Sequence, residues 1–218
     1  MARSELAYAV RRVPRGRRLK VRIDAQHGVE VLLPKGAPLR AASSAVAELR
    51  PWIERELAAR DALRARLREP GVLPFLDERL ALVPEDGRVR VHRRGSALLV
   101  PAGEDAAAAL ERWYRRAARA EIARRLDAAS AASGTAYTSL TIRNQRTRWA
   151  SCAGSAMSFN WRLLLAPSRV LDYVVWHEVC HLEVSDHSPR FWRLLESRLP
   201  GWREPARWLR ENGAALVL

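Results

Sequence analysis

The hydrophobic positions of the first hundred residues alternate more often than they recur at helical spacing. In LKVRID, Leu19, Val21 and Ile23 alternate with charged residues, the period of a half-buried strand. A turn around His27-Gly28 leads into VEVLLP, so the two segments predict a hairpin with His27 in its loop. From Leu39 to Arg68 the period changes. Val46, Leu49, Trp52, Ile53 and Leu57 follow one another at helical spacings and predict a single helix. LALVP, VRVH and ALLVP then predict further strands separated by Gly and Asp turns, with His92 facing solvent.

PAGEDA, at 101–106, is the strongest break in the pattern. Beyond it Leu110, Tyr114, Ala118, Ile122 and Leu126 recur every four residues, with Trp113 beside them, and predict a helix of about six turns. SLTIRNQRTRWASC and AMSFNWRLLLAP, with Gly154 between them, predict an antiparallel pair. Helices near 168–184, 189–199 and 203–212 close the chain. The expected organisation is a β-rich region with one helix over 1–103 and a second domain over 104–218, within an α+β fold class.

Composition narrows this picture. The 218 residues are enough for one sizeable core or two small ones. No segment approaches the roughly 18 uninterrupted apolar residues of a membrane helix, so no membrane insertion is expected. The opening MARSELAYAVRRVPRGRR has no apolar core of the secretory type. Cys152 and Cys180 form neither a CxxC pair nor a disulfide framework. A reducing, cytoplasmic setting is the expectation. The formal charge is +14, nearly all of it arginine, and Met1 to Asp24 carries eight basic residues against two acidic ones. Such a surface attracts nucleic acid, nucleotides or anionic lipid, and equally fits a solvated face.

The candidate chemistry lies in YVVWHEVCHLEVSDHSPRFW, where three of the five histidines fall between His177 and His187. On a helix, residues i and i+4 share a face, so His177 and His181 can grip one ion. Glu178 sits one residue round, placed to address a metal-bound water without ligating the metal. This is the logic of HExxH zinc sites. Ser185-Asp186 can end the helix, and Ser188-Pro189 reads as the N-cap and first position of another. His187 would then point back as a third ligand, in the spacing of the extended zincin pattern. The competing third ligand is a carboxylate, Glu196 or Glu204; Glu183 sits on a different face. Val184 occupies the place of the pattern's turn glycine and no methionine follows His187, which argues against a metzincin. Cys152 and Cys180 read as packing residues.

With these residues in view, the chain resembles the YgjP-like metallopeptidases, a zincin-like family related to the SprT-like proteins. The resemblance rests on RWASC (148–152), FNWRLLLAPSRVLDYVVWHEVCHL (159–182) and DHSPRFW (186–192). The family pattern has RWGSC where this chain has Ala150, and commonly HELxH where it has HEVCH. The resemblance implies a zincin-like catalytic domain with its HExxH helix packed on a small antiparallel sheet. It implies one zinc ion per chain on His177, His181 and His187, with Glu178 as general acid/base. Arg148, Trp149, Asn160 and Arg162 would border the cleft, or equally serve structurally, with Asn160 capping a turn and Trp149 filling the core; Arg148 or Tyr173 would help an oxyanion. The implied activity is zinc-dependent hydrolysis of a peptide or protein substrate. Two alternatives stand beside it. One is hydrolysis of a nucleotide (UTP) at its phosphoanhydride, to which Arg146, Arg148 and Arg162 would be suited. The other is a SprT-like protease associated with nucleic acid through the basic N-terminal region.

Overall fold

A computed structural model describes residues 6–24, 28–67, 69–145 and 148–218. His27 and Arg146 lie outside the described residues. The chain divides into two compact units, Met1–Leu67 and Arg68–Leu218.

The first unit is a three-stranded sheet and one helix. Strand β3 (Gly28–Pro34) lies in the middle, antiparallel to β2 (Lys20–Asp24) and parallel to β1 (Tyr8–Val13). The expected hairpin is therefore present as β2–β3. Strand β1 was not expected: five of its six residues are exposed, so it carries little of the apolar alternation that marks a strand. Val29, Val31 and Leu33 of β3 pack with Ala42, Val46 and Ile53 of α1 (Arg40–Leu67), which spans the predicted helix. Glu30 emerges on the other face of β3. It is buried, and it accepts from Arg11 Nε at 3.1 Å and Arg22 Nε at 2.6 Å.

The second unit begins with a four-stranded sheet of order β4-β5-β7-β6. Its strands are β4 (Val72–Phe75), β5 (Glu78–Glu85), β6 (His92–Arg94) and β7 (Ala97–Pro101). The expected strand VRVH starts later than its pattern suggests, and His92 is exposed as expected. Helix α2 (Ala106–Ser133) follows, and the five residues of its four-residue repeat are all buried. The break expected at 101–106 lies inside this unit. PAGEDA reverses the chain locally, yet Leu73, Phe75, Leu80, Leu98 and Val100 from before it share one core with Tyr114 and Leu126 from after it. Turn chemistry marks where a chain bends and carries no information about which core its flanks join.

Three short strands come next: β8 (Ser139–Arg143), β9 (Ala150–Ala153) and β10 (Ala156–Asn160), in the order β8-β10-β9. β9 and β10 form the expected antiparallel pair across Gly154, but β8 runs parallel to β10 on its far side. The small sheet is thus mixed where an antiparallel one was expected. The segment read as one long strand is two, and they lie on opposite edges of β10. A short 3-10 helix (Trp161–Leu165) leads into α3 (Ser168–Cys180), α4 (Pro189–Arg198) and α5 (Arg203–Asn212). No helix among the described residues is long and apolar enough to cross a membrane.

The phenol of Tyr114, wholly buried on α2, donates to the Pro74 carbonyl at 2.6 Å and ties β4 to the helix. Tyr114→Phe should lower the unfolding free energy by roughly 1–3 kcal/mol through the orphaned carbonyl. A urea titration followed by tryptophan fluorescence measures this, and an unchanged midpoint would mean the bond contributes nothing.

Candidate metal centre

Helix α3 carries the site, and distant residues orient it. Pro167 precedes the helix and has no side-chain cap to offer. The carboxylate of Asp77 supplies one, accepting from Ser168 N–H at 3.0 Å at the positive end of the helix dipole. Arg125 of α2 adds a second tie, donating to Asp172 at 3.1 Å and to Ser168 Oγ at 3.0 Å. Val170, Leu171, Val174, Val175 and Val179 bury the opposite face of α3 in the core.

The helix ends at Cys180, earlier than the pattern suggests, because i→i+3 bonds take over there. His181 N–H donates to Glu178 and Leu182 N–H to Val179. His181 keeps helical dihedrals, so the i, i+4 relation to His177 survives. Among the described residues, Leu76 alone of the non-glycine residues has a positive φ, so the turn at Val184 proceeds without the left-handed conformation that valine resists. Val184 N–H instead donates back to Cys180, and its side chain is buried. Asp186 then accepts from Ser188 N–H at 2.9 Å, and Pro189 opens α4 as the sequence predicts. His187 is returned to the helix by this reversal.

His177, His181 and His187 each present a ring nitrogen, and these atoms lie within 4.8 Å of one another. His177 Nε2 and His187 Nε2 are 3.0 Å apart. His181 Nδ1 lies 3.0 Å from the Val184 carbonyl, which fixes the proton on Nδ1 and leaves the Nε2 lone pair for the cluster. Burial, then the neighbouring His181 and His187, push the His177 imidazole down to about 3, so it stays neutral at physiological pH. Its Nδ1 is buried without a hydrogen-bond partner. Imidazole nitrogens meeting this closely are placed to offer lone pairs to a cation. The donor set fits a metal such as zinc with a coordination position left over. Phe191 forms the floor: it is wholly buried, with ring centroids 4.5 Å from His181 and 4.9 Å from His177.

The carboxylates weighed as a third ligand are engaged elsewhere. Glu196 pairs with Arg203, Glu204 with Arg169, and Glu183 with Arg198. Glu178 lies beside the histidines and is 6% exposed. Burial pushes its carboxyl up to about 7, against opposing pulls from the Cys152 backbone N–H and the Arg148 guanidinium. That Cys152 contact was not legible in the sequence, because any residue type supplies a backbone amide.

A cleft of about 500 Å³ opens over the cluster. His177, Glu178, His181, Leu182, Ser185 and His187 line one side, and Arg148, Ala150, Ser151, Cys152 and Gly154 the other. Among the described residues β9 pairs only with β10, and Ala150, Ser151 and Cys152 of this edge strand line the cleft. Cys152 Sγ contacts the Gly154 carbonyl, and burial raises its thiol pKa. Burial likewise pushes the Cys180 thiol up to about 11, and neither cysteine is poised as a nucleophile. Tyr173 packs edge-on to His177 at 5.8 Å and does not line the cleft.

Arg148 stands at the cleft as expected; Asn160 and Arg162 do not. Both are buried. Asn160 accepts from Arg162 N–H at 3.1 Å and donates to the Gln145 carbonyl at 2.8 Å. Arg162 donates to the same carbonyl at 2.9 Å and lies 5.4 Å from the Trp149 ring centroid. Polar residues beside a motif look alike in sequence whether they meet substrate or support the backbone that does.

With this geometry in place, a model of the YgjP-like metallopeptidase domain matches residues 17–212. The chain belongs to the YgjP-like metallopeptidase family. Metal-dependent peptidase chemistry follows for this YgjP-like chain at that general level. The crystal structure of the metallopeptidase zymogen of Pyrococcus abyssi abylysin is 24% identical, over 41% of this chain and 93% of that one. Its TM-score of 0.37 is too low to bear on the fold. No curated protein matches the chain significantly.

Asn160→Ala should lower stability by roughly 1–3 kcal/mol, since it orphans the buried Arg162 N–H and leaves the Gln145 carbonyl only its bond from the Arg162 guanidinium. KM for a peptide should hold in the folded fraction. A raised KM at full stability would make Asn160 a substrate contact instead.

Proposed function

We propose that the chain is a zinc-dependent peptidase in which His177, His181 and His187 hold one zinc ion and Glu178 is the general acid/base. The convergence of the three histidine nitrogens within 4.8 Å, beside a buried carboxyl, carries this reading. When bound, zinc supplies Lewis acidity, lowering the pKa of a coordinated water to about 7 and polarising a carbonyl. Glu178 takes a proton from the attacking water and returns it to the leaving amine. The Cys152 N–H fixes the carboxylate on the β9 side of the cleft. An extended peptide pairs with the free edge of β9, which sets its carbonyls along the cleft. Arg148, exposed at the cleft wall, offers its guanidinium to a substrate carbonyl or to negative charge developing there.

Nucleoside triphosphate hydrolysis stands second and, among the described arginines suited to it, draws on Arg148 at the cleft. Of the other two arginines suited to it, Arg162 is buried behind Trp149 and Arg146 lies outside the described residues. Turnover of an unfolded protein measured beside turnover of UTP decides between the two.

Metal analysis of freshly purified protein should find about one zinc per chain. Glu178→Gln should keep that zinc while kcat falls by roughly 10²–10⁴. Zinc loss in this variant would mean Glu178 is a ligand, and full activity would remove it from the mechanism. Arg148→Ala removes a positive charge that holds the Glu178 pKa down. The carboxylate then ionises at higher pH, so the acidic limb of the kcat/KM profile should move up. An unmoved limb would assign it to another group.

A further inference from the structure

Between Arg11 and Arg22 the chain places seven Lys or Arg in twelve positions and no Asp or Glu. Three of the seven are engaged. Arg11 and Arg22 pair with Glu30, and Arg12 donates to the carbonyls of Pro34, Lys35 and Ala37. The other four, Arg15, Arg17, Arg18 and Lys20, are exposed and form no ion pair or hydrogen bond with any described residue. They do not diverge into solvent. With Val13 and Leu32 they line one concavity of about 340 Å³ at the turn joining β1 to β2. Gly16 makes that turn compact: its N–H donates to the Val13 carbonyl at 3.2 Å, and a Cβ there would come within 3.2 Å of the Val13 Cβ.

We infer that this concavity binds the phosphodiester backbone of a nucleic acid. Gathering four like charges without internal compensation is unfavourable, and an extended polyanion relieves it at several points at once. Three of the four are arginines, whose planar forks match phosphate oxygens. The unit that carries them, Met1–Leu67, has fifteen Lys or Arg against seven Asp or Glu, a net +8 of the chain's +14. A membrane surface fits less well, because interfacial binding needs apolar anchors beside the cations. Val13 and Leu32 are half-buried, and alternation along β1 sends the exposed Tyr8 and Val10 to the opposite face from Val13. No aromatic side chain lines the concavity to stack on a base, so recognition is of the backbone and independent of sequence.

The test compares two full-length variants of equal charge. One carries Arg15→Gln, Arg17→Gln, Arg18→Gln and Lys20→Gln. The control carries Arg94→Gln, Arg112→Gln, Arg116→Gln and Arg207→Gln, all exposed positions of the second unit. Binding of a labelled mixed-sequence DNA duplex is read by fluorescence anisotropy over a salt series, with circular dichroism confirming that both variants fold. Four phosphate contacts give a slope of about −3.6 in log affinity against log salt. That is a loss of roughly 150-fold between 50 and 200 mM for the unaltered protein. The first variant should lose most of its affinity at low salt and flatten that slope, while the control keeps both. Equal losses in the two variants would reduce the effect to net charge and overturn the proposal. So would salt-insensitive binding, or capture by phosphatidylserine vesicles with no affinity for the duplex.

Discussion

Two imidazole nitrogens 3.0 Å apart, one on His177 and one on His187, repel unless a proton or a cation lies between them. Much of the second unit serves to enforce that approach. The aliphatic face of α3 anchors the helix in the core, while Asp77 and Arg125 fix its first turn from elsewhere in the chain. Asp186 and Pro189 reverse the backbone so that His187 comes back over the helix. Phe191, wholly buried, prevents the three rings from relaxing downward. Burial keeps His177 neutral, so its imidazole presents a lone pair and not a positive charge.

The opposite wall of the cleft is held by a separate set of contacts. Edge strand β9 is unpaired along one side among the described residues, and Gln145 and Trp149 ahead of it are held by side-chain contacts. Asn160 and Arg162 hold the Gln145 carbonyl from below. Trp149 is wedged between the Arg162 guanidinium and the chain end. There a Cβ on Gly213 would come within 2.9 Å of the indole. Arg148 thus projects from a backbone fastened on both sides. Buried polar residues away from the cleft support the backbone on either side of Arg148, which lines it.

The first unit shows the same economy with charge. Glu30 is buried under Arg11 and Arg22, and backbone carbonyls absorb Arg12, so the sheet neutralises the cations that would otherwise crowd its strands. The four left over are gathered at the β1–β2 turn. The excess of arginine read from composition is therefore not evenly spread. Within the β1–β3 sheet it is compensated along the strands and uncompensated at the β1–β2 turn.

Local information was sufficient wherever a periodicity governs burial. The four-residue repeat from Leu110 to Leu126 gave the buried face of α2, and the two-residue alternation gave β2 and β3. The spacing from His177 to Pro189 gave a helix, a reversal and a new helix, because helical geometry and proline chemistry act within a few residues. Pairing partners and support roles were not legible, since they depend on contacts across long stretches of chain. The sequence could not tell that β8 joins β10 in parallel, or that β4 to β7 share a core with α2. Nor could it tell that Asn160 and Arg162 lie beneath the cleft wall while Arg148 faces the cleft. The three histidines are brought to one place by local chain geometry. Their convergence with Glu178, the Cys152 amide and the free edge of β9 is decided by how helix and sheet pack, which tertiary structure alone determines.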